Sequence, residues 1–389
     1  MAKEEKKAPK LRFNGYTNDW EQQELGAVVE FYSGLTYKPE NVVQNGTLVI
    51  RSSNIHNNQY INADNVYVKN NIVNSEYVQE QDIIVVVRNG SRNLIGKHAL
   101  LKSIPHDPSV IGAFMTGIRS LNNQFIEAVL NTEKFKREIN KNLGATINQI
   151  TTSQFKKMKF NFPKREEDKQ IGILFNYLDD TIQLHERKCE ELALIKKALL
   201  QKLFPKKDEI KPEVRYKNFN DTWEQRKLGE TSKITAGGDV DKEKLLTHGK
   251  YPVIANALTN DGIVGYYNDA YRITAPAVTV TGRGEIGKAK SRKINFTPVV
   301  RLLSVESKHN VDFLAEAINR SKVVFESTGV PQLTVPKLSN YKISFPVSEN
   351  EETKIGDFIQ QFDSLIALHQ RKLEKLKQLK KFLLQNMFI

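Results

Sequence analysis

The chain has 389 residues, 39% of them hydrophobic, which is enough for two domains with cores of their own, and its formal net charge at pH 7 is +13. Its one cysteine, Cys189, excludes a disulfide framework and a cysteine-rich zinc site. No apolar run approaches the roughly 20 residues of a membrane helix, and the start MAKEEKKAPK has no secretory signal, so we expect a cytoplasmic protein without a membrane partner.

An internal repeat divides the sequence into two halves. Residues 11–26 return as residues 214–229 at a constant offset of 203, and residues 168–188 return as residues 352–372 at an offset of 184. The difference between the offsets means that the first globular segment is longer than the second. The repeat predicts two globular domains and two helical segments in the order 1–164, 165–205, 206–348 and 349–389.

The globular segments read as short strands followed by a helix. Short β-type runs broken by Gly, Asn and Pro predict strands at 47–51, 82–88, 277–281 and 298–303. Amphipathic patterns predict one helix in each segment, at 125–143 and 311–326.

Both globular segments close on related sequences, residues 147–163 and 330–346. Gln149 aligns with Gln332, whereas the middles of the two segments do not align. Shared ends and divergent middles are expected of two domains that keep a common scaffold and recognise different targets.

The two helical segments carry matching heptad patterns, with apolar residues at alternating steps of four and three. The first seam consists of Ile171, Phe175, Leu178, Ile182, His185, Cys189, Leu192, Lys196, Leu199 and Leu203. The second consists of Ile355, Ile359, Phe362, Ile366, His369, Leu373, Leu376, Lys380, Leu383 and Met387. Roughly 37 residues make a rod of about 55 Å, too long for one small domain to cover, so we expect the helices to pair with each other.

The heptad pattern fixes a seam more firmly than a direction. We favour antiparallel helices, which would place the globular domains at opposite ends about a pseudo-twofold axis. The predicted fold is α+β, with two domains of short strands plus helix joined by two long antiparallel helices. His185 and His369 fall at equivalent seam positions, and we expect them to pack or hydrogen-bond there rather than bind a metal, because no carboxylate or cysteine cluster accompanies them.

The positive charge lies mostly in the two globular segments, while the helical segments are close to neutral. DNA would be attracted to both globular segments, although a basic protein with no nucleic-acid function has the same balance. The divergent middles carry polar and basic side chains that suit base edges and phosphates. The candidates are Arg51, Ser53, Asn54, Arg88, Asn89, Arg92, Lys97, Asn256, Thr281, Arg283, Lys288, Lys290, Arg292 and Lys293. We favour the cluster from Arg283 to Lys293.

One glycine-rich motif imitates a phosphate-binding loop. Residues 279–289 contain both GxGxxG and GxxxxGK, but Ala289 stands where a P-loop needs Ser or Thr, and the next residues read as strand rather than helix. A glycine turn that brings backbone and basic side chains to a nucleic-acid phosphate explains this motif and its counterpart at 90–97 better.

Catalysis finds little support in the sequence. The seven histidines form no HExxH or triad-like grouping, and no amino-methyltransferase signature is present. We expect no catalytic residue, no metal site and no bound cofactor on this chain. A nuclease site assembled from scattered carboxylates remains a third hypothesis, and a coiled-coil assembly adaptor that meets nucleic acid incidentally remains a second.

The repeated motifs resemble the DNA sequence specificity subunit of type I restriction-modification enzymes. WEQQELG and WEQRKLG open the two halves, QLTVPKLSNYKISFP closes the second, and the last helix begins KIGDFIQQFDSLIALHQRK. The resemblance covers nearly the whole chain. It departs at Ser153, which stands where the second half has Pro336.

The resemblance implies two target recognition domains held by conserved helices, each reading one half of a bipartite site in double-stranded DNA. It implies assembly with two modification subunits, which methylate adenine, and two restriction subunits, which are ATP-dependent translocases and nucleases. S-adenosylmethionine, ATP and Mg would then belong to those partners. This chain would supply recognition rather than chemistry.

Overall fold

The structure is a computed structural model that describes residues 8–104, 106, 108–144, 148–206, 209–257, 259–321 and 331–389. The chain forms two compact units. Unit 1 comprises Met1–His185 together with Arg371–Ile389, and unit 2 comprises Glu186–Gln370. Each long helix therefore contributes one half to each unit, whereas the four-segment division of the sequence stays a prediction.

Unit 1 contains two four-stranded sheets, a two-stranded sheet and a small hairpin. Its strands are β1 (Glu21–Glu24), β2 (Glu30–Ser33), β3 (Val42–Val43), β4 (Thr47–Ile50), β5 (Ile55–His56), β6 (Gln59–Tyr60), β7 (Val66–Val68), β8 (Ile83–Val86), β9 (His98–Leu100), β10 (Ser109–Ile111), β11 (Met115–Arg119) and β12 (Lys159–Phe162). Its helices are α1 (Leu25–Val28), α2 (Asn123–Leu130), α3 (Glu133–Asn142), α4 (Thr152–Lys156) and the first half of α5 (Arg165–Leu203). The sheet orders are β10-β4-β7-β3, β2-β11-β8-β9, β1-β12 and β5-β6.

Unit 2 repeats this plan with fewer strands. Its strands are β13 (Glu224–Lys227), β14 (Ser232–Ala236), β15 (Tyr251–Ile254), β16 (Ile263–Tyr267), β17 (Ala277–Thr281), β18 (Ala289–Arg292), β19 (Thr297–Pro298), β20 (Leu302–Ser307) and β21 (Lys342–Phe345). Its helices are α6 (Leu228–Thr231), α7 (Val311–Arg320), α8 (Val335–Ser339) and the first half of α9 (Glu349–Asn386). The sheet orders are β14-β20-β17-β18, β16-β15-β19 and β13-β21.

The main sheets of the two units correspond, although unit 2 has fewer strands. The antiparallel sheet β2-β11-β8-β9 corresponds to β14-β20-β17-β18. In the other sheet, β10 runs parallel to β4 as β19 runs parallel to β15. The α+β fold predicted from the sequence is confirmed.

The paired glycines of the repeat allow a close backbone approach. A Cβ on Gly26 would lie 2.8 Å from Cβ of Lys156 in α4, and a Cβ on Gly229 would lie 2.8 Å from Cβ of Ser339 in α8. Real Cβ atoms do not come this close, so both positions require glycine for α1 and α6 to pack on the closing helices. The closing helix forms in both units, with Ser153 in α4 where Pro336 stands in α8.

A strap ties the start of each globular segment to the long helices. In unit 1 the Arg12 guanidinium donates to both carboxylate oxygens of Glu167, at 2.7 Å each. In unit 2 Arg215 does the same to Glu351, at 2.6 and 2.7 Å. Glu167 and Glu351 are fully buried in the first turns of α5 and α9, so these paired charges fix where each long helix begins.

The seam residues of the long helices are buried or half-buried along their whole length. Within unit 1, Phe175 contacts Phe388 and Asp179 pairs with Lys380 at 2.5 Å, so the two helices run antiparallel there. Within unit 2, Lys196 pairs with Asp363 at 2.6 Å. The offset of 184 relates these two ion pairs. Among the described residues, no helix is both long and apolar enough to span a membrane.

Two sequence predictions of secondary structure were wrong. The helix expected at 125–143 is divided into α2 and α3, because Thr132 ends one helix and caps the next by accepting from the Phe135 amide at 3.2 Å. The strand expected at 298–303 is interrupted by a turn at residues 299–302, so that β19 ends at Pro298 and β20 begins at Leu302. The helix expected at 311–326 ends at Arg320, and residues 322–326 lie outside the described residues.

Candidate nucleic-acid interface

Four loops converge at one edge of the sheets in each unit, and this edge is here named the rim. The rim of unit 1 consists of residues 51–54, 87–96, 112–114 and 148–150. The rim of unit 2 consists of residues 255–257, 282–288, 299–301 and 331–333. The same backbone bonds hold both rims: Ile150 N donates to Val87 O at 2.9 Å, and Leu333 N donates to Gly282 O at 2.8 Å.

The loop between the last two strands of the antiparallel sheet closes in the same way in both units. Gly96 N donates to Val86 O and Gly287 N donates to Thr281 O, both at 2.8 Å. Gly96 and Gly287 have φ of +83° and +81°, which favours glycine. The motif that imitates a P-loop is therefore a hairpin loop between β17 and β18, and it does not lead into a helix.

In unit 1, two predicted residues, Asn89 and Lys97, meet at Ser52. Asn89 Nδ2 donates to Ser52 Oγ, and Lys97 Nζ donates to the Ser52 carbonyl, both at 3.2 Å. Burial lowers the pKa of Lys97. Arg51, which precedes Ser52 in the chain, donates to the Asp64 carbonyl. These contacts order the loop that follows β4 and bring its polar atoms to the rim.

Asn54 is placed differently from the prediction. It is fully buried, it accepts from Arg51 N at 2.9 Å, and its amide donates to Asn65 Oδ1 at 3.1 Å. An amide engaged on both sides has no capacity left for a base, so Asn54 shapes the loop instead. Ser53, Arg88 and Arg92 are exposed on the rim.

In unit 2, Asn256 and Thr281 support the hairpin loop from below. Asn256 Oδ1 accepts from Gly282 N at 2.8 Å, and its amide donates to Val300 O at 3.2 Å. Thr281 Oγ1 accepts from Lys288 N at 2.9 Å and donates to the Glu285 carbonyl. Thr281 is also buried, so the prediction that it contacts DNA is not supported by its position.

The basic cluster of unit 2 separates into two groups. Arg283 and Lys288 are exposed at the hairpin loop. Lys290 and Arg292 instead face Asp261, with which both form ion pairs. Arg292 Nε also donates to Thr279 Oγ1 at 3.0 Å, and burial lowers the pKa of Arg292 although Asp261 counteracts this.

Lys293 lies away from the hairpin loop. It pairs with Asp312 at the start of α7 and donates to Gln360 Oε1 of α9 at 3.3 Å. Its charge is thus satisfied within the protein. Of the favoured cluster, only Arg283 and Lys288 combine exposure with a position at the rim.

Two rim residues escaped the sequence analysis. Phe114 is 52% exposed at the turn before β11, with the Arg88 guanidinium 5.0 Å from its ring centroid. Arg301 is exposed at the matching turn before β20. The sequence placed Arg301 inside a strand, and neither Val300 nor Arg301 is a turn-forming residue type, so no sequence signal marked this turn. No group of three or more His, Cys, Asp or Glu in the described part of the chain is arranged to hold a metal.

Comparison with protein families gives matches in both halves of the chain. The model of the type I restriction modification DNA specificity domain matches residues 17–194 and again residues 220–378. The chain belongs to this family. Each matched specificity domain contains one rim and most of one long helix.

Individual relatives agree with this assignment. A curated type I specificity subunit of Mycoplasma pneumoniae is 31% identical over 126 residues, which is 31% of this chain and 34% of the relative. The specificity subunit of the StySPI type I restriction enzyme of Salmonella potsdam is 27% identical over 191 residues, 47% of this chain and 41% of the relative. The aligned parts span about a third to a half of the length of the curated relatives.

The specificity-domain fold also occurs in a solved structure. The crystal structure of the S subunit of a type I restriction-modification system from M. genitalium aligns with a TM-score of 0.75 at 16% identity. The alignment covers 98% of this chain and 99% of that one. The two chains share a fold, including the two globular segments and the long helices.

Proposed function

We propose that the chain is the sequence-specific DNA-binding subunit of a type I restriction-modification complex, in which each unit reads one half of a bipartite site. The observation that carries this proposal is the duplication of one specificity domain with a conserved frame and two different rims. A scaffold without a recognition role would have no need for two rims that share equivalent backbone hydrogen bonds and differ in their side chains.

The electrostatics of the rims support binding to duplex DNA. Arg88 and Arg92 in unit 1 and Arg283 and Lys288 in unit 2 are exposed cations on loops that backbone hydrogen bonds hold in place. Such side chains contact phosphates or guanine edges. The buried residues beneath them, Asn54 and Thr281, would position these loops rather than touch DNA.

The long helices are the surfaces we assign to partner subunits. Outside the seam they carry exposed apolar side chains, including Tyr177 at 68% and Leu194 at 66%. A contiguous row of exposed apolar side chains is typical of a site that another protein covers, and Ile173, Tyr177 and Leu184 form such a row on one face of α5, at steps of four and seven. We propose that two modification subunits dock on the helices and that two restriction subunits join the assembly through them. The chain itself would be noncatalytic, with S-adenosylmethionine, ATP and Mg bound by the partners.

The test is the pattern of adenine methylation in a host that carries the modification partner with or without this chain. We expect a bipartite motif, two short half-sites with a fixed gap, that appears only when the chain is present. Methylation of an unchanged motif without the chain would overturn the proposal. If the chain assembles with its partner yet gives no specific DNA binding, the protein-assembly adaptor becomes the better explanation. DNA cleavage by the purified chain with Mg would favour the nuclease.

A further inference from the structure

Each rim contains one tight turn that joins the two sheets of its unit. In unit 1, Met115 N donates to Gly112 O at 2.9 Å, and in unit 2 Leu302 N donates to Val299 O at 3.0 Å. These bonds define two β-turns whose central residues are Ala113 and Phe114 in unit 1. The central residues in unit 2 are Val300 and Arg301.

The strand pairings show that the turns are equivalent. Before the turn, Ile111 pairs in parallel with Ile50, as Pro298 does with Ile254. After the turn, Met115 lies opposite Val86, as Leu302 lies opposite Thr281. Phe114 and Arg301 therefore occupy the same place in their units.

The residues at this shared place are exposed and chemically unlike. Phe114 keeps 52% of its surface exposed, and its only ring partner in the described structure is the Arg88 guanidinium, which is itself exposed. Arg301 is exposed, and the described structure shows no ion pair or side-chain hydrogen bond for it. Positions that maintain the frame keep their residue type between units, as Gly26 and Gly229 do. These two positions keep their place in the turn and change the side chain, and Arg301 has a positive φ whereas Phe114 does not.

Arg301 also adopts an unfavourable backbone conformation. Its φ is +73°, in the left-handed region that a turn of type II requires at its third position and that glycine or asparagine normally fills. Within the described residues, no ion pair or side-chain hydrogen bond of Arg301 offsets this cost. A residue held in such a conformation at a ligand-facing edge points to a role in binding.

We propose that Phe114 and Arg301 are the specificity-determining residues of their two units, an inference that rests on the proposed DNA-reading function. Arg301 pairs with the O6 and N7 acceptors of a guanine in the half-site of unit 2. Phe114 contacts the methyl group of a thymine in the half-site of unit 1. One backbone position thus accounts for part of the difference between the two half-sites.

The experiment uses the full chain with its modification partner and compares methylated motifs in host DNA. Arg301→Gly removes the guanidinium and places at φ +73° the residue that suits it, so misfolding does not explain a loss of recognition. Phe114→Ala removes the ring. The controls lie at the far ends of the same strands, about 20 Å away: Lys308→Ala beyond β20 and Leu121→Ala, at 85% exposure, beyond β11.

We expect Arg301→Gly to relax one base of one half-site, with discrimination at that base falling about 5- to 150-fold. Phe114→Ala should relax one base of the other half-site by a smaller factor, and both controls should keep the wild-type motif. Affinities of the purified complex for duplexes that vary one base at a time measure these factors. These affinities can be measured even if a variant methylates host DNA too weakly for its motif to be detected.

Three outcomes would overturn the inference. The motif could stay unchanged in both variants, both variants could relax the same half-site, or affinity could fall equally for every base, which would indicate a phosphate contact. In each of these cases the wild-type chain still directs a bipartite motif, and the proposed function stands. If the wild-type chain directs no motif, the proposed function itself fails.

Discussion

Trp20 and Trp223 occupy matched positions, but their indole nitrogens differ in their partners. Trp20 Nε1 donates to Glu167 Oε2 at 3.2 Å, beside the Arg12 guanidinium. Trp223 Nε1 is buried and meets no acceptor within the described residues. The strap of unit 1 therefore supplies an acceptor for the indole N–H of Trp20. The strap of unit 2 supplies none for the indole N–H of Trp223.

Phenylalanine substitutions measure this difference, because both remove the same ring volume. We expect Trp20→Phe to destabilise unit 1 by about 1–2 kcal/mol more than Trp223→Phe destabilises unit 2, since only the first breaks a hydrogen bond to a carboxylate. Hydrogen exchange of each unit under increasing urea gives the two free energies of unfolding. Equal losses would show that the indole of Trp20 contributes only through packing.

Glu127 has no acidic counterpart in unit 2. It lies buried on α2, with His98 Nε2 at 3.5 Å, and burial raises its pKa although His98 and Lys380 counteract this. At the matched positions unit 2 has Ala315 and Ala289. Since the folded pKa of Glu127 lies above its unfolded value, the folded state binds the proton more tightly. The resulting stability is full below the unfolded pKa and is lost as the pH rises through the folded one.

Glu127→Gln should therefore raise the free energy of unfolding of unit 1 at neutral pH, by roughly 1–3 kcal/mol, and flatten its decline with rising pH. Thermal unfolding of both proteins, measured at several pH values between 4 and 8, gives the dependence of stability on pH. The control is Glu133→Gln on α3, where the ion pair with Lys136 lowers the pKa of Glu133, so no gain at higher pH is expected. A steeper decline for Glu127→Gln would show that the charged carboxylate stabilises the fold.

At the scale of elements, the long helices could be predicted from the sequence because their apolar pattern repeats. The predictions failed at positions where a strand or a helix is interrupted. The seams of α5 and α9 follow from heptad spacing, because a stripe of apolar side chains must be covered wherever the helix lies. The strand prediction at 298–303 failed because Val300 and Arg301 have side chains that suit a strand, whereas the connection between two sheets imposes a turn there. The helix prediction at 125–143 failed because one cap, Thr132, overrides a continuous amphipathic pattern.

The candidate site was predictable only in outline for a similar reason. The basic loops could be found from composition, but their charge partners are distant in sequence. Lys290 meets Asp261 and Lys293 meets Asp312, and neither contact has a spacing that a sequence pattern reveals. Burial of Asn54 and Thr281 likewise depends on loops that only the folded chain brings together.

The antiparallel register of the helices in unit 1 is testable through one ion pair. Asp179 and Lys380 are 29% and 16% exposed, so Lys380→Glu would place like charges next to each other in a poorly hydrated position and cost about 1–3 kcal/mol. The exchange Asp179→Lys with Lys380→Glu should recover most of that loss. Double-mutant analysis of urea unfolding measures the coupling. Additive effects would contradict the register.

At the scale of the whole molecule, the last residues of the chain pack in the hydrophobic core of unit 1, most of which comes from the first half of the sequence. Phe388 lies 6.1 Å from Trp20, 5.8 Å from Phe125 and 5.7 Å from Phe175, measured between ring centroids. The last turn of α9 and the residues that follow it therefore complete the core of unit 1, as Leu200 and Leu203 at the end of α5 complete the core of unit 2.

A chain that ends at Asn386 tests this arrangement. Removing Met387, Phe388 and Ile389 exposes the aromatic core of unit 1 and should destabilise it by several kcal/mol, since burying one such side chain contributes about 1.5–3 kcal/mol. Hydrogen exchange should increase in residues 8–185 and change little in residues 186–370. Increased exchange confined to the neighbouring helix turn would show that these residues are peripheral.

The distribution of satisfied and unsatisfied charges gives a prediction for DNA binding by the whole molecule. Arg283 and Lys288 are exposed at the rim of unit 2, whereas Lys290 and Lys293 are held by carboxylates. Replacing either pair by alanine removes the same formal charge.

If the rim contacts phosphates, only the first pair should change the dependence of log affinity on log salt concentration, reducing its slope by about 0.9 for each lost contact. The second pair should leave the slope near that of the wild type, because a cation neutralised within the protein releases no counterions from DNA. Equal slopes for both variants would mean that net charge alone governs binding and that the rim has no special place in it.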